Sequence, residues 1–273
     1  MRSHTGLLLL AVSLGACTHP VDATRELIPH PADPARQIEV YWRKPPGPGP
    51  FPLLVFVHGH QGPFDSDGGR VYADSGALRS AAGAGVVAVA VSQPGYGGSD
   101  GPADFCGPFT QDAVIAAIDR FRREPFVDPR RVVLEGVSRG AIVAAMVAAR
   151  DAADHRLAGA VLIAGAYDLQ ALYDAGFGGL SKVNLWLEAP PVSGRVLADR
   201  SASAHLEGLQ VPLLILHGER DERIPVAQAT AFTEALRARS RDVELHVFAG
   251  EGHQIPYGKR EPLVRAFVAR VTR

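Results

Sequence analysis

Five short runs, Leu53–Val57, Val86–Val91, Val132–Leu134, Ala160–Ala164 and Leu213–Leu216, are apolar at every position. A strand with one wet face alternates polar and apolar residues, so runs without alternation belong to strands covered on both faces, as in parallel sheets. Between and after them, Asp112–Arg122, Arg139–Ala149, Ala227–Arg239 and Pro262–Val271 place apolar residues three and four apart, which predicts helices. Strands alternating with helices define an α/β domain, a mostly parallel central sheet with helices on both faces. Ligands bind such sheets beyond the carboxyl ends of the strands. Residues that do chemistry are therefore sought on loops that directly follow strands.

At 273 residues and 47% hydrophobic content, the chain can bury one substantial core, which the reading places at 37–273, opening with a strand at Ile38–Trp42. Formal charge is −1, and Lys and Arg are scattered without a basic stripe, which argues against nucleic acid as a partner. Tyr167–His205 breaks the strand–helix rhythm with Tyr167, Tyr173, Phe177 and Trp186. It reads as a cap over the site (167–205), with a normally packed helix and its loops as the alternative.

At the amino terminus, Gly6–Leu14 is an apolar run too short to span a bilayer, after a polar start at Arg2 and His4. Leu14-Gly15-Ala16-Cys17 resembles the bacterial lipoprotein signal, in which cleavage precedes the Cys and its sulfur takes up lipid. The resemblance implies a signal peptide at 1–16, lipid attachment at Cys17, and export to the cell envelope. Thr18, where the inner-membrane retention signal places Asp, points to the outer membrane. An ordinary secretory signal is the alternative. Residues 17–36, rich in Pro and charge, read as a tether. Cys106 is then left without a disulfide partner, a bridge to Cys17 being the other possibility. No Cys or His spacing suggests a metal site, and no cofactor is implied.

The pattern Gly-x-Ser-x-Gly occurs twice, at Gly136–Gly140 and Gly97–Gly101, so context must discriminate. A nucleophilic serine in this pattern needs a sharp strand-to-helix turn that lifts its hydroxyl clear of the backbone. Ser138 has that context, following Val132–Leu134 and preceding the Ala-rich helix from Arg139. Ser99 sits in Gln93-Pro-Gly-Tyr-Gly-Gly-Ser-Asp-Gly-Pro102, too rich in Gly and Pro for a helix to begin, and reads as part of a flexible loop rimming the site. A serine needs a base, and the base needs a carboxylate to fix its tautomer. Asp221 and His253 fall on loops after later strands, in the order Ser, Asp, His. Asp168 is the other candidate acid, while His58, His217 and His246 read as structural. The tetrahedral oxyanion would be held by backbone N–H groups of Arg139, at a helix amino terminus, and of His60 in His58-Gly-His-Gln-Gly62.

The residues His58-Gly59, Asp128-Pro-Arg-Arg-Val132 leading into Gly136-x-Ser138-x-Gly140, Val211–Pro225, and Glu251-Gly-His253 resemble the catalytic domain of the prolyl oligopeptidase (peptidase S9) and related esterase branch of the α/β-hydrolase fold. That resemblance covers Phe51–Val271 and implies a serine hydrolase acting through an acyl-enzyme. Peptidases of the family usually carry an amino-terminal β-propeller and Tyr-Gly-Gly after the nucleophile. Here the segment before the domain reads as a short tether, and Arg139-Gly140-Ala141 follows Ser138. The leading expectation is therefore hydrolysis of a small acyl ester, with an exported peptidase of short peptides as the alternative. An inactive lipid-anchored binding module is the third reading. Oligomeric state leaves no trace in the sequence.

Overall fold

The computed structural model describes residues 23–62, 66–176 and 179–273; Cys17, the 1–16 segment and Phe177 lie outside them. Among the described residues the strands are β1 (Thr24–His30), β2 (Asp33–Arg43), β3 (Phe51–Val57), β4 (Val87–Val91), β5 (Val127–Val137), β6 (Gly159–Ile163), β7 (Leu213–Gly218) and β8 (Val243–Phe248). The helices are α1 (Arg70–Asp74), α2 (Ala77–Gly83), α3 (Pro108–Phe121), α4 (Arg139–Arg150), α5 (Leu169–Asp174), α6 (Gly179–Glu188), α7 (Gly194–Ala198), α8 (Ala227–Arg237) and α9 (Tyr257–Val271). The strands form one sheet in the order β1-β2-β4-β3-β5-β6-β7-β8. From β4 to β8 every pairing is parallel, while β1 and β2 join antiparallel.

The unbroken apolar runs serve two faces at once. Leu53, Val55 and Val57 of β3 face the core shared with α3, α4 and α8, and Leu54 and Phe56 face the core shared with α1, α2 and α9. The mostly parallel sheet with helices on both faces, expected from the alternation, is the one observed, and it agrees with the α/β-hydrolase fold that the resemblance implied.

The tether is the part of the sequence reading that the structure corrects. Residues 24–36 belong to the sheet: β1 pairs with β2 in the register Ile28↔Ile38, and β2 pairs in turn with β4 at Val40↔Val91. Pro and charge, which suggested a tether, are also what an edge strand carries to discourage further pairing. Glu26 of β1 bonds Arg120 of α3 at 2.8 Å, and Ile28 is buried. Ile28→Ala is thus expected to lower stability by about 2–5 kcal/mol, the range for emptying a buried aliphatic site. Urea unfolding checks this, since a loose tether would give no change.

Helix α9 also begins earlier than the expected Pro262, which lies inside it. Proline there forgoes one intrahelical N–H bond. The turns that follow pack Val264, Phe267 and Val268 into the core, which offsets that loss.

Candidate active site

The loops that follow β3, β4, β5, β7 and β8 meet at one end of the sheet, as do residues of the segment between β6 and β7. At the end of β5, Ser138 has φ 55° and ψ −118°, a left-handed conformation that is strained for a residue with a Cβ. Its N–H donates to the carbonyl of Ile163 at 2.7 Å, and α4 begins at the next residue. The flanking glycines are steric requirements. A Cβ on Gly136 would overlap the backbone of Gly140, and one on Gly140 would overlap the carbonyl of Val57. Without side chains there, the turn packs tightly and presents the hydroxyl outward.

His253 Nε2 lies 2.8 Å from Ser138 Oγ, and its Nδ1 lies 2.7 Å from Asp221 Oδ2. The loops bearing the acid and the base are locked together. Arg220 N–H donates to Glu251 O at 2.8 Å and Glu219 N–H to Phe248 O at 3.0 Å. A Cβ on Gly218 would overlap the carbonyl of Gly252. Asp221 is buried, and its Oδ1 accepts the backbone N–H groups of Arg223 and Ile224, both at 2.9 Å. Burial alone would raise its carboxyl pKa. Hydrogen bonds from His217, His253 and Ile224 outweigh that effect and hold the group well below the usual carboxylate range.

The structure thus brings together Ser138, Asp221 and His253, which lie far apart in sequence. Asp168, the other candidate acid, instead caps α5, its carboxylate accepting the N–H of Ala171 at 2.9 Å. Ser99 is not on a free rim: its hydroxyl is buried, donating to Ser92 O at 2.6 Å and accepting from Glu39 N–H at 2.8 Å. Cys106 is free and buried, and burial pushes its thiol up to about 11.

The His58–Gly62 loop lies against the nucleophile. A Cβ on Gly59 would sit 3.3 Å from that of Ser138, tight enough to push the two apart by a few tenths of an ångström, so a glycine favours this close approach. The N–H of His60 follows on that loop, and the N–H of Arg139 opens α4, where the first amides lack intrahelical partners and the dipole favours an anion. His58 fastens the loop from beneath. Its Nδ1–H donates to Gly59 O at 2.7 Å, and its Nε2 accepts the N–H of Gln93 at 3.0 Å. Burial lowers this imidazole to about 4, so it is neutral and can play both parts.

Sequence reasoning missed several residues that the fold delivers. His217, fully buried, sets its Nε2 3.3 Å from Asp221 Oδ2 and 2.9 Å from Ile224 O, so it supports the acid. Tyr96 of the β4 loop lies 2.9 Å from both His60 Nδ1 and the Arg139 guanidinium. Glu188 and Asn184 reach the same cluster from α6. Only the position of His217 at a strand end could have flagged its part.

Chemically, the constellation can take a proton from Ser138, hold the resulting imidazolium against Asp221, and offer N–H groups to a developing oxyanion. Among the described residues no group of three or more His, Cys, Asp and Glu is placed to hold a metal ion.

A 26% identical stretch of 209 residues relates the chain to the uncharacterized peptidase YuxL of Bacillus subtilis, over 75% of this chain and 31% of that protein. Dipeptidyl-peptidase 5 of Porphyromonas gingivalis is 26% identical over 162 residues, 56% of this chain and 22% of that one. The chain therefore spans less than a third of the length of these curated relatives. Among solved structures, a Mycobacterium tuberculosis puromycin-hydrolyzing peptidase shares the fold with a TM-score of 0.75 at 20% identity, over 96% of this chain and 41% of that one. The model of the prolyl oligopeptidase family, Peptidase_S9, matches residues 107–270, which hold Ser138, Asp221 and His253, and the chain belongs to that family.

Proposed function

We propose that the protein is a serine peptidase that cleaves short peptides through an acyl-enzyme on Ser138. The observation that carries this reading is the continuous relay from Ser138 Oγ through His253 to Asp221, at 2.8 and 2.7 Å, on a domain of the prolyl oligopeptidase family. The curated relatives are named as peptidases, which favours the peptide alternative over the small ester that the sequence placed first. The replacement of Tyr-Gly-Gly by Arg139-Gly140-Ala141 was one of the two departures behind that preference for an ester, beside the short segment before the domain. It changes two side chains and leaves in place the Arg139 N–H and the small residues that the turn needs.

In the proposed reaction Ser138 Oγ attacks the scissile carbonyl as His253 Nε2 takes its proton, and the N–H groups of His60 and Arg139 receive the oxyanion. The C–N bond then breaks, and the imidazolium of His253 gives its proton to the leaving amine. Water, deprotonated by the same imidazole, attacks the acyl-enzyme and releases the carboxylic acid while the proton returns to Ser138. Amide cleavage depends on that proton donation, because an amine leaves poorly without it.

The test compares peptidyl anilides of one to four residues with p-nitrophenyl acyl esters of increasing chain length. A peptidase should turn over at least one anilide with saturation kinetics. Ester turnover with no anilide cleavage across the panel would sink the peptidase reading and restore the esterase one.

A further inference from the structure

We propose that Glu188 is a positioning residue, which clamps α6 over the site by gripping the side chain of Arg139, the residue next to the nucleophile. Side-chain exposure is 6% for Arg139 and 16% for Glu188, so the ion pair between them is largely withdrawn from water. Both carboxylate oxygens of Glu188 are engaged. Oε1 accepts from Arg139 Nη1 at 3.2 Å, and Oε2 accepts from Arg139 Nη2 and from the N–H of Phe105 at 3.1 Å.

The guanidinium is held from three further sides. Nη1, whose two hydrogens are shared among the neighbouring acceptors, also lies 2.9 Å from Tyr96 Oη and 3.2 Å from His60 Nδ1, and the guanidinium carbon sits 4.8 Å from the centre of the Phe105 ring. A second tie from α6 sets the Asn184 amide 3.3 Å from His60 Nε2. Partial burial and the Arg139 charge lower the pKa of His60, which favours the neutral ring whose Nδ1 can accept these bonds. Leu185 completes the docked face, while Val183, Trp186 and Leu187 of the same helix are exposed.

An ion pair taken out of water is a weak source of stability compared with apolar packing, but it enforces one geometry, because loss of either partner leaves the other buried and uncompensated. Arginine suits such a junction, since its planar fork with five donors can pair both oxygens of a carboxylate and still reach other acceptors, a geometry that the compact lysine ammonium does not offer. The position after the nucleophile therefore does more than supply an N–H. Its side chain fixes the cap helix, and with it the wall that an extended substrate meets beyond the scissile bond.

The experiment uses the full chain with Trp42→Phe, so that Trp186 on α6 is the one remaining tryptophan of the two in the sequence. Glu188→Gln, Arg139→Met and the double variant that carries both are compared in that background. Acrylamide quenching of Trp186 and hydrolysis of p-nitrophenyl acetate and of a peptidyl anilide are the readouts. For Glu188→Gln we expect increased quenching and a loss of about tenfold in kcat/KM on the anilide, mainly through KM, the scale of one charge-assisted hydrogen bond. The acetate ester, too small to reach α6, should keep its rate within about threefold on the same reasoning. The double variant should be no worse than either single one, because no charge is left stranded.

Unchanged quenching with equal losses on both substrates would overturn the clamp, as would strictly additive losses in the double variant. The substrate half of the test rests on the peptidase reading and the quenching half does not. A wild type inactive on anilides would remove that reading, and Trp186 would still decide the clamp.

Discussion

Replacing Ser138 by alanine is expected to abolish labelling by a fluorophosphonate probe and to cut hydrolysis by about a millionfold, the scale on which serine proteases lose activity with their nucleophile. The expectation follows from geometry. Among the serines in the two Gly-x-Ser-x-Gly motifs, only Ser138 has a hydroxyl within 2.8 Å of an imidazole, and that imidazole is itself tied to a buried carboxylate. Ser99→Ala is the internal control. It removes a buried hydroxyl that bonds Ser92 O and Glu39 N–H, so it should cost about 1–3 kcal/mol of stability. Labelling per folded molecule should be unchanged. Labelling that survives in Ser138→Ala and disappears in Ser99→Ala would reverse the assignment and would require the β4 loop to refold around an exposed hydroxyl.

The two motifs also show where sequence reasoning succeeds. Apolar strands and the turn before an Ala-rich helix are local signals, and they located Ser138 and the parallel sheet. Asp221 and His253 were legible because each follows a strand, so topology alone brings them to one end of the sheet. The edge hairpin was not legible, because Pro29 and the charges of β1 look the same in an edge strand and in a linker, and pairing with β2 is a long-range event. Glu188 was invisible for a different reason. It is separated from Arg139 by 49 positions, and no periodicity links a residue of the segment between β6 and β7 to the position after the nucleophile. Arg139 was read only as a departure from Tyr-Gly-Gly and as a source of one N–H. Its side chain turned out to be a junction of four chain segments.

The second large effect is expected at the acid. Asp221→Asn should lower kcat by about ten-thousandfold, as loss of the charged acid does in serine proteases, with little change in the backbone. The hydrogen-bond pattern around Asp221 explains why so small a change is severe. Its Oδ1 accepts two backbone N–H groups at 2.9 Å, so an asparagine would turn its one carbonyl oxygen to them and aim its NH2 group at His253. Nδ1 would then have to accept, and the ring proton would move to Nε2, where it blocks uptake of the proton from Ser138. A loss below about tenfold would instead show that another carboxylate orients the base.

The same substitution carries a stability signature with a definite sign. The carboxyl of Asp221 is depressed in the folded chain, with an unfolded value near the ordinary ~3.9. Its charged form therefore stabilises the fold fully above about pH 4, and that contribution fades as pH falls through the lower folded value. The stability gap between wild type and Asp221→Asn, followed by urea unfolding, should accordingly be constant at neutral pH and narrow below about pH 4. A gap that stayed constant into strong acid would mean that the folded carboxyl is not depressed. His217 and the two backbone amides would then not be sustaining the charge on which the base depends.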